Sequence, residues 1–341
     1  MDIIIRQLKA EPYSSAIFDE YFKGKSFCTF DIETLGLDPR RAPMILAGFM
    51  CVRPDGTAEF RQYFLDEPEE EHLLLDEVIN ELNRYDLIVT FNGRRFDIPY
   101  VEKRYSMINH TLPEIRPFDL DLYLVVRGHS GLRGVLPSLS QKSLEEYMGI
   151  GLGREDLISG GESVELYYKY LTETDPKEKA RIKEIILLHN SDDVEQLYRL
   201  LPIMRQCDLH CASFKLGFPV YPLNVSESMI LKVSRISFTK SGMAVEGTYT
   251  GEPFIYKGFA SIERCYEMEF HKDRTFRFTV PILKEANAKY INLLDFFDDT
   301  GDFEDLSGFV NNYLILCEGK ELNYREINRF ASVLLRDFMG R

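Results

Sequence analysis

The chain is short of positive charge, of paired cysteines and of long apolar runs. Its 41 lysines and arginines stand against 55 aspartates and glutamates, a formal net charge of −14. Such a balance excludes a protein that coats nucleic acid electrostatically over its whole surface. It leaves room for an acidic enzyme whose cations are local and whose own carboxylates are neutralised by divalent metal. The six cysteines (28, 51, 207, 211, 265 and 317) form no Cys-x-x-Cys pair, and Cys28 and Cys51 fall inside apolar, strand-like runs where a free thiol behaves as a small hydrophobe. Cys207, His210, Cys211, Cys265 and Cys317 are too irregularly spaced for a recognisable zinc or iron–sulfur set, so buried thiols in a reducing compartment are expected. No stretch reaches membrane-spanning length, and the apolar run of residues 3–5 is too short for a signal peptide. A cytoplasmic location with no membrane partner is expected. Internal repeats and low-complexity tracts are also lacking.

What is present is an ample apolar fraction, 45% of 341 residues, enough for one large domain or two smaller ones. Residues 27–32, 44–52 and 58–65 read as three strands of an antiparallel meander, broken by Gly36, Asp38-Pro39 and Pro54-Asp55-Gly56. A helix over 69–83 follows, with Leu74, Val78 and Leu82 as its apolar stripe, then a strand over 87–91, a helix from Asp97 to about residue 105, and an extended piece over 115–123. Further helices are predicted over 140–148, 164–171 and 176–200. A meander followed by alternating strand and helix predicts an α/β fold, a mixed sheet with helices on its faces. After Leu201-Pro202 the pattern changes. Residues 206–225, with Gly217, Pro219 and Pro222, read as a connector, and 226–341 as a smaller α+β domain of short strands closed by two helices, over 303–317 and 324–338. Residues 1–24 read as an N-terminal extension to a domain over 25–205.

Four acidic segments carry the chemistry. In Asp31-Ile32-Glu33-Thr34 the two carboxylates are two residues apart on a strand and share a face, where they repel unless a cation lies between them; capping of the following turn is the competing role. In Phe91-Asn92-Gly93-Arg94-Arg95-Phe96-Asp97 the aspartate follows a tight turn at a helix start, so capping and metal binding compete for one side chain. Asn92 offers an amide, and Arg94 and Arg95 offer cations to a phosphate. Phe118-Asp119-Leu120-Asp121 adds two aspartates with a structural role as the expectation. In His189-Asn190-Ser191-Asp192-Asp193, His189 and Asp193 are one turn apart, about 6 Å along a helix axis, either as an exposed polar pair or as a ligand with an imidazole base beside it. Asp31, Glu33, Asp97 and Asp193 together offer enough oxygen for two Mg²⁺ or Mn²⁺ ions.

The order Asp-Ile-Glu-Thr, Phe-Asn-Gly-x-x-Phe-Asp and a helix ending its motif in Asp193 resembles the exonuclease motifs of the DEDD superfamily, as in the proofreading domains of family B DNA polymerases. Ser143-Leu144-Glu145, Gly153-Arg154-Glu155-Asp156-Leu157-Ile158-Ser159-Gly160 and Leu166-Tyr167-Tyr168-Lys169-Tyr170 are similar to the YprB-type bacterial ribonuclease H-like domain. The resemblance covers roughly residues 25–203. It implies a ribonuclease H-like fold and 3′ to 5′ hydrolysis of DNA or RNA, at a single-stranded 3′ end. It also implies two divalent ions on Asp31, Glu33, Asp97 and Asp193, with His189 as the water-orienting residue, a histidine at the spacing of the Tyr-x-x-x-Asp subgroup where another subgroup has His-x-x-x-x-Asp. Thr34, Leu35, Asn92, Arg94, Arg95 and Phe96 are the candidate substrate contacts. Two other classes share this pattern: an inactive nucleic-acid-binding or scaffold protein, and a phosphodiesterase of small nucleotides. Cations around Phe276 (His271, Lys272, Arg274, Arg277) read as a solvated turn, with contact to a nucleic-acid strand as the alternative.

Overall fold

Apolar runs bounded by turn residues form the centre of the molecule. The computed structural model describes residues 1–150, 158, 160–223, 229–240, 242–261, 265–285 and 287–340. The chain divides into two compact units, Met1–Cys207 and Asp208–Arg341. In the first, β1 (Asp2–Lys9), β2 (Phe27–Thr34), β3 (Met44–Val52), β4 (Thr57–Phe64), β5 (Leu87–Thr90) and β6 (Phe118–Asp121) make one mixed sheet in the order β1-β4-β3-β2-β5-β6. The expected meander is β2-β3-β4, paired antiparallel, while β5 and β6 run parallel to β2.

Nearly every residue of β3 is buried, as a central strand covered on both faces requires. The covering helices are α1 (Ala16–Phe22), α2 (Glu71–Leu82), α3 (Asp97–Asn109), α4 (Leu122–His129), α5 (Gln141–Met148), α6 (Gly160–Thr172) and α7 (Pro176–Arg199). Leu74, Leu75, Val78, Ile79 and Leu82 of α2 join Phe30, Phe49, Tyr63, Phe64 and Ile186 in a single core. The 24-residue α7 starts where its sequence says it should: Asp175 caps it, accepting from Lys177 N at 3.0 Å, and Pro176 opens its first turn. Ser140 likewise caps α5. Of the Gly153–Gly160 motif, residues 153–157 and 159 lie outside the described residues. Residues 2–9, read from sequence as part of an extension, pair with β4 over eight residues and supply an edge of the sheet.

The second unit contains α8 (Leu209–Leu216), β7 (Phe218–Val220), β8 (Leu231–Phe238), β9 (Met243–Tyr249), β10 (Tyr256–Gly258), β11 (Glu267–Phe270), β12 (Thr275–Val280), β13 (Leu283–Glu285), β14 (Ala288–Asn292), β15 (Phe309–Val310), β16 (Tyr313–Glu318), β17 (Glu321–Leu322) and α9 (Tyr324–Met339). One sheet runs β10-β11-β12-β9-β8-β7; the other runs β13-β14-β16-β15, with β17 on β16. Two expectations are corrected here. Residues 208–220, expected as connector, form α8 and β7. The stretch 303–317, expected as a helix, instead carries β15 and most of β16. Asn311 and Asn312 both have positive φ (49° and 68°) and join the two strands as a two-residue hairpin, which only residues tolerant of the left-handed region allow. Cross-strand neighbours Lys257, Glu269, Arg277, Glu246 and Arg235 alternate in sign across five strands, with Lys257 2.6 Å from Glu269 and Arg277 2.8 Å from Glu246. The hairpin cation Arg277 is thereby engaged by a carboxylate.

Candidate active site

On β2 the two-residue repeat directs Asp31 and Glu33 to the face covered by α7, and α7 presents His189, Asn190 and Asp193 back toward them. His189 Nε2 is 3.5 Å from Glu33 Oε1 and 3.7 Å from Asp193 Oδ2. Ligand atoms of Glu33, His189 and Asp193 lie within 4.8 Å of one another, the single such grouping of His, Cys, Asp and Glu among the described residues. The polar stretch that follows the apolar run of residues 185–188 thus lies buried: His189 is 4% exposed and Asn190 fully enclosed. The cysteines are all free, and Cys28, Cys207 and Cys317 are buried.

Asp97 is the first residue of α3, and the cap position is held by Phe96 with no side-chain cap bond. Capping therefore does not claim its carboxylate. Burial pushes the Asp97 carboxyl up to about 7, with Asp119 and Asp121 adding repulsion and backbone N–H groups opposing it. Asp31 is held well above the ordinary carboxylate range, first by burial and then by the charges of Asp97, Asp193 and Glu33; a hydrogen bond from Asn190 acts the other way. Four mutually repelling carboxylates and a buried imidazole are a donor set suited to a hard divalent cation, whose charge would reverse those shifts.

The expected substrate contacts fare unevenly. Arg94 donates from Nε to the Asp119 carbonyl at 2.9 Å and lies 4.9 Å over the Phe118 ring, so its guanidinium braces β6. Arg95 is exposed. Asn92 sits at φ 69° and donates its backbone N–H to Asp121. Phe96 is half-buried against Tyr100, at 5.3 Å between ring centres. Thr34 Oγ1 donates to the Gly36 carbonyl, and Leu35 N to the Pro43 carbonyl. Asp121 is a structural cap, accepting from Asn92 N (3.0 Å), Leu124 N (3.1 Å) and Arg94 N (3.2 Å), and Asp119 accepts from Thr90 Oγ1 at 2.7 Å. One clamp escaped sequence reasoning. The Tyr100 hydroxyl, one turn along α3 from Asp97, meets the carbonyls of Gly36 (2.9 Å) and Ala42 (2.8 Å) and ties down both ends of the loop after β2.

A family model for the RNase H superfamily matches residues 28–205, about half of the chain and the whole of the sheet from β2 onward. The chain belongs to the RNase H superfamily. An uncharacterised protein of Bacillus subtilis (strain 168), YprB, is 30% identical over 173 residues, which are 50% of this chain and 40% of that protein. The chain therefore matches well under half the length of that relative. Among solved structures, a family B DNA polymerase from the archaeon Pyrobaculum calidifontis is 21% identical over 53% of this chain and 25% of the polymerase, with a TM-score of 0.39. NrnC of Brucella melitensis is 18% identical over 57% of this chain and 78% of its own, with a TM-score of 0.34.

Proposed function

We propose that the chain is a divalent-metal-dependent 3′ to 5′ exonuclease that hydrolyses phosphodiester bonds at nucleic-acid ends. Asp31, Glu33, Asp97 and Asp193 would hold two Mg²⁺ or Mn²⁺ ions. The observation that carries this reading is the convergence of Glu33, His189 and Asp193 within 4.8 Å, beside two buried carboxylates, Asp31 and Asp97, that burial and neighbouring carboxylates hold above the ordinary range. When bound, such ions supply Lewis acidity toward water and toward the leaving oxygen. His189, held between Glu33 and Asp193, orients the attacking water and takes up its proton. The carboxylates fix where the scissile phosphate can lie, and the Tyr100 clamp fixes the loop that follows Glu33 and Thr34. Polarity follows from the resemblance of the ordered motifs to proofreading exonucleases. A strand end is the expected substrate, and Arg95, which is exposed, offers a cation to its phosphates.

The test is stepwise shortening of a 5′-labelled oligonucleotide from its 3′ end with Mg²⁺ or Mn²⁺, and a loss of at least ~100-fold in Asp31→Asn, whose side chain keeps its shape but not its charge. Cleavage by that variant equal to the parent's overturns the proposal. Cleavage confined to dinucleotides would make the protein a small-nucleotide phosphodiesterase. Binding without cleavage would make it a scaffold.

A further inference from the structure

Sheet register puts Asp31 of β2, Gly48 of β3, Gln62 of β4 and Ile4 of β1 in one row across four strands. Residues in such a row share a face. Between the two polar members stands a glycine. A Cβ there would come within 2.1 Å of Asn190 Oδ1, so Gly48 leaves the slot that the α7 amide fills. Asn190 is fully buried, as is Gln62. Asn190 Nδ2 lies 3.2 Å from Asp31 Oδ2 and 3.4 Å from the Asp31 carbonyl. Gln62 Nε2 lies 3.0 Å from Asn190 Oδ1 and 2.8 Å from the Leu187 carbonyl. Arg6 on β1 closes the line, with Nη2 3.5 Å from Gln62 Oε1 and 2.7 Å from Ser191 Oγ.

The polarity of this line is forced from its ends. Arginine can only donate, so Gln62 must turn its oxygen toward Arg6; the Leu187 carbonyl can only accept, so Gln62 must turn its nitrogen toward α7. That nitrogen then fixes the Asn190 oxygen, and the Asn190 nitrogen is left facing Asp31. That nitrogen can only donate, so Asp31 meets it as an acceptor, with Oδ2 and with its carbonyl.

We propose that Asn190 is the positioning residue for Asp31, holding that carboxylate oriented for metal, and that Gln62 and Arg6 set the direction of the Asn190 amide. This rests on the reading of Asp31 as a metal ligand. It gives β1, which lies outside the matched family region of 28–205, a part in the site. Asn190 touches neither substrate nor reacting atoms in this scheme, and its effect is exerted through Asp31.

The experiment measures Mn²⁺ binding to the full chain by titration calorimetry or electron paramagnetic resonance, independently of cleavage. Metal-free melting is recorded as a check on folding. Asn190→Ala is expected to weaken Mn²⁺ binding by ~10–100-fold, with cleavage partly restored by excess Mn²⁺. Gln62→Met keeps the volume, removes all three of its side-chain hydrogen bonds and should weaken binding in the same direction by several-fold; it decides the matter if Asn190→Ala fails to fold. Binding within twofold of the parent in both variants overturns the inference while leaving the nuclease reading intact. A parent that binds Mn²⁺ but cleaves nothing sinks the nuclease reading alone. A parent that binds no Mn²⁺ overturns both.

Discussion

At the scale of single residues, Asp97 shows how position decides chemistry. An aspartate at a helix start is ordinarily a cap, and a cap has its charge taken up by backbone N–H groups. Here Phe96 occupies the cap position and Asp97 lies one step inside, 4% exposed and facing other carboxylates, with its carboxyl pushed up to about 7. An acid whose folded value lies above its unfolded value of about 3.9 favours the folded state in its protonated form. Its cost to stability is therefore absent at low pH, grows as pH rises from about 4 toward 7, and is present in full above 7. In metal-free protein, Asp97→Asn should raise stability at pH 8 by on the order of 2 kcal/mol, and the gain should shrink toward zero at pH 4.5. The same variant should lose most of the stabilisation that Mg²⁺ gives the parent. Melting curves in chelator and in Mg²⁺ at both pH values check this. An Asp97→Asn protein less stable than the parent at pH 8 would mean that its carboxylate is a structural partner and not a ligand.

At the scale of elements, what could be read from the sequence depended on whether a signal was local. The start of α7 lies in Asp175-Pro176 and its apolar face in Ile182 and Ile186, so both helix and site histidine were legible. The β2–β4 meander, the ordered acidic motifs and the mixed sheet were legible for the same reason. The edge strand β1 was not, because Ile3 and Ile5 are about half exposed and give no buried alternation. Nor was the hairpin of β15 and β16, where Phe303, Leu306 and Phe309 imitate a helical period across turns. The Gln62–Asn190 contact spans 128 residues and depends on register, which no local pattern encodes. The two aspartates of β6 were separable only in three dimensions. Asp121 joins the loop after β5, the end of β6 and the start of α4 through three N–H donors. Asp121→Ala should therefore cost on the order of 2–3 kcal/mol, a lost cap plus two unsatisfied donors. It should leave Mn²⁺ affinity, measured well below the melting temperature, within about threefold of the parent, because Asp121 is not a ligand. Urea denaturation and a metal titration on the same sample check both halves. Loss of metal binding as complete as in Asp97→Asn would place Asp121 in the metal site after all.

At the scale of the whole molecule, the division at Cys207 and Asp208 separates chemistry from the remainder of the chain. Every proposed ligand, His189, and the line from Arg6 to Asp31 lie in Met1–Cys207. So do all the residues of the core cluster that runs from Cys28 to Ile186. A unit of this length with its own core is within the size at which domains fold by themselves. No helix among the described residues is long and apolar enough to cross a membrane, so removing the second unit takes away no spanning helix described there. The fragment 1–207 should unfold in one cooperative urea transition and bind Mn²⁺ within about threefold of the full chain, since ion affinity is set by ligands and their hydrogen-bonded partners. Its cleavage of a short labelled oligonucleotide should survive, and any loss should fall on KM for longer strands while kcat holds, because every residue proposed to act on the reacting atoms lies in Met1–Cys207. A fragment that folds cooperatively and binds Mn²⁺ yet has lost kcat would show that a residue beyond 207 belongs to the catalytic site, and the boundary of the enzyme would have to be redrawn to include it.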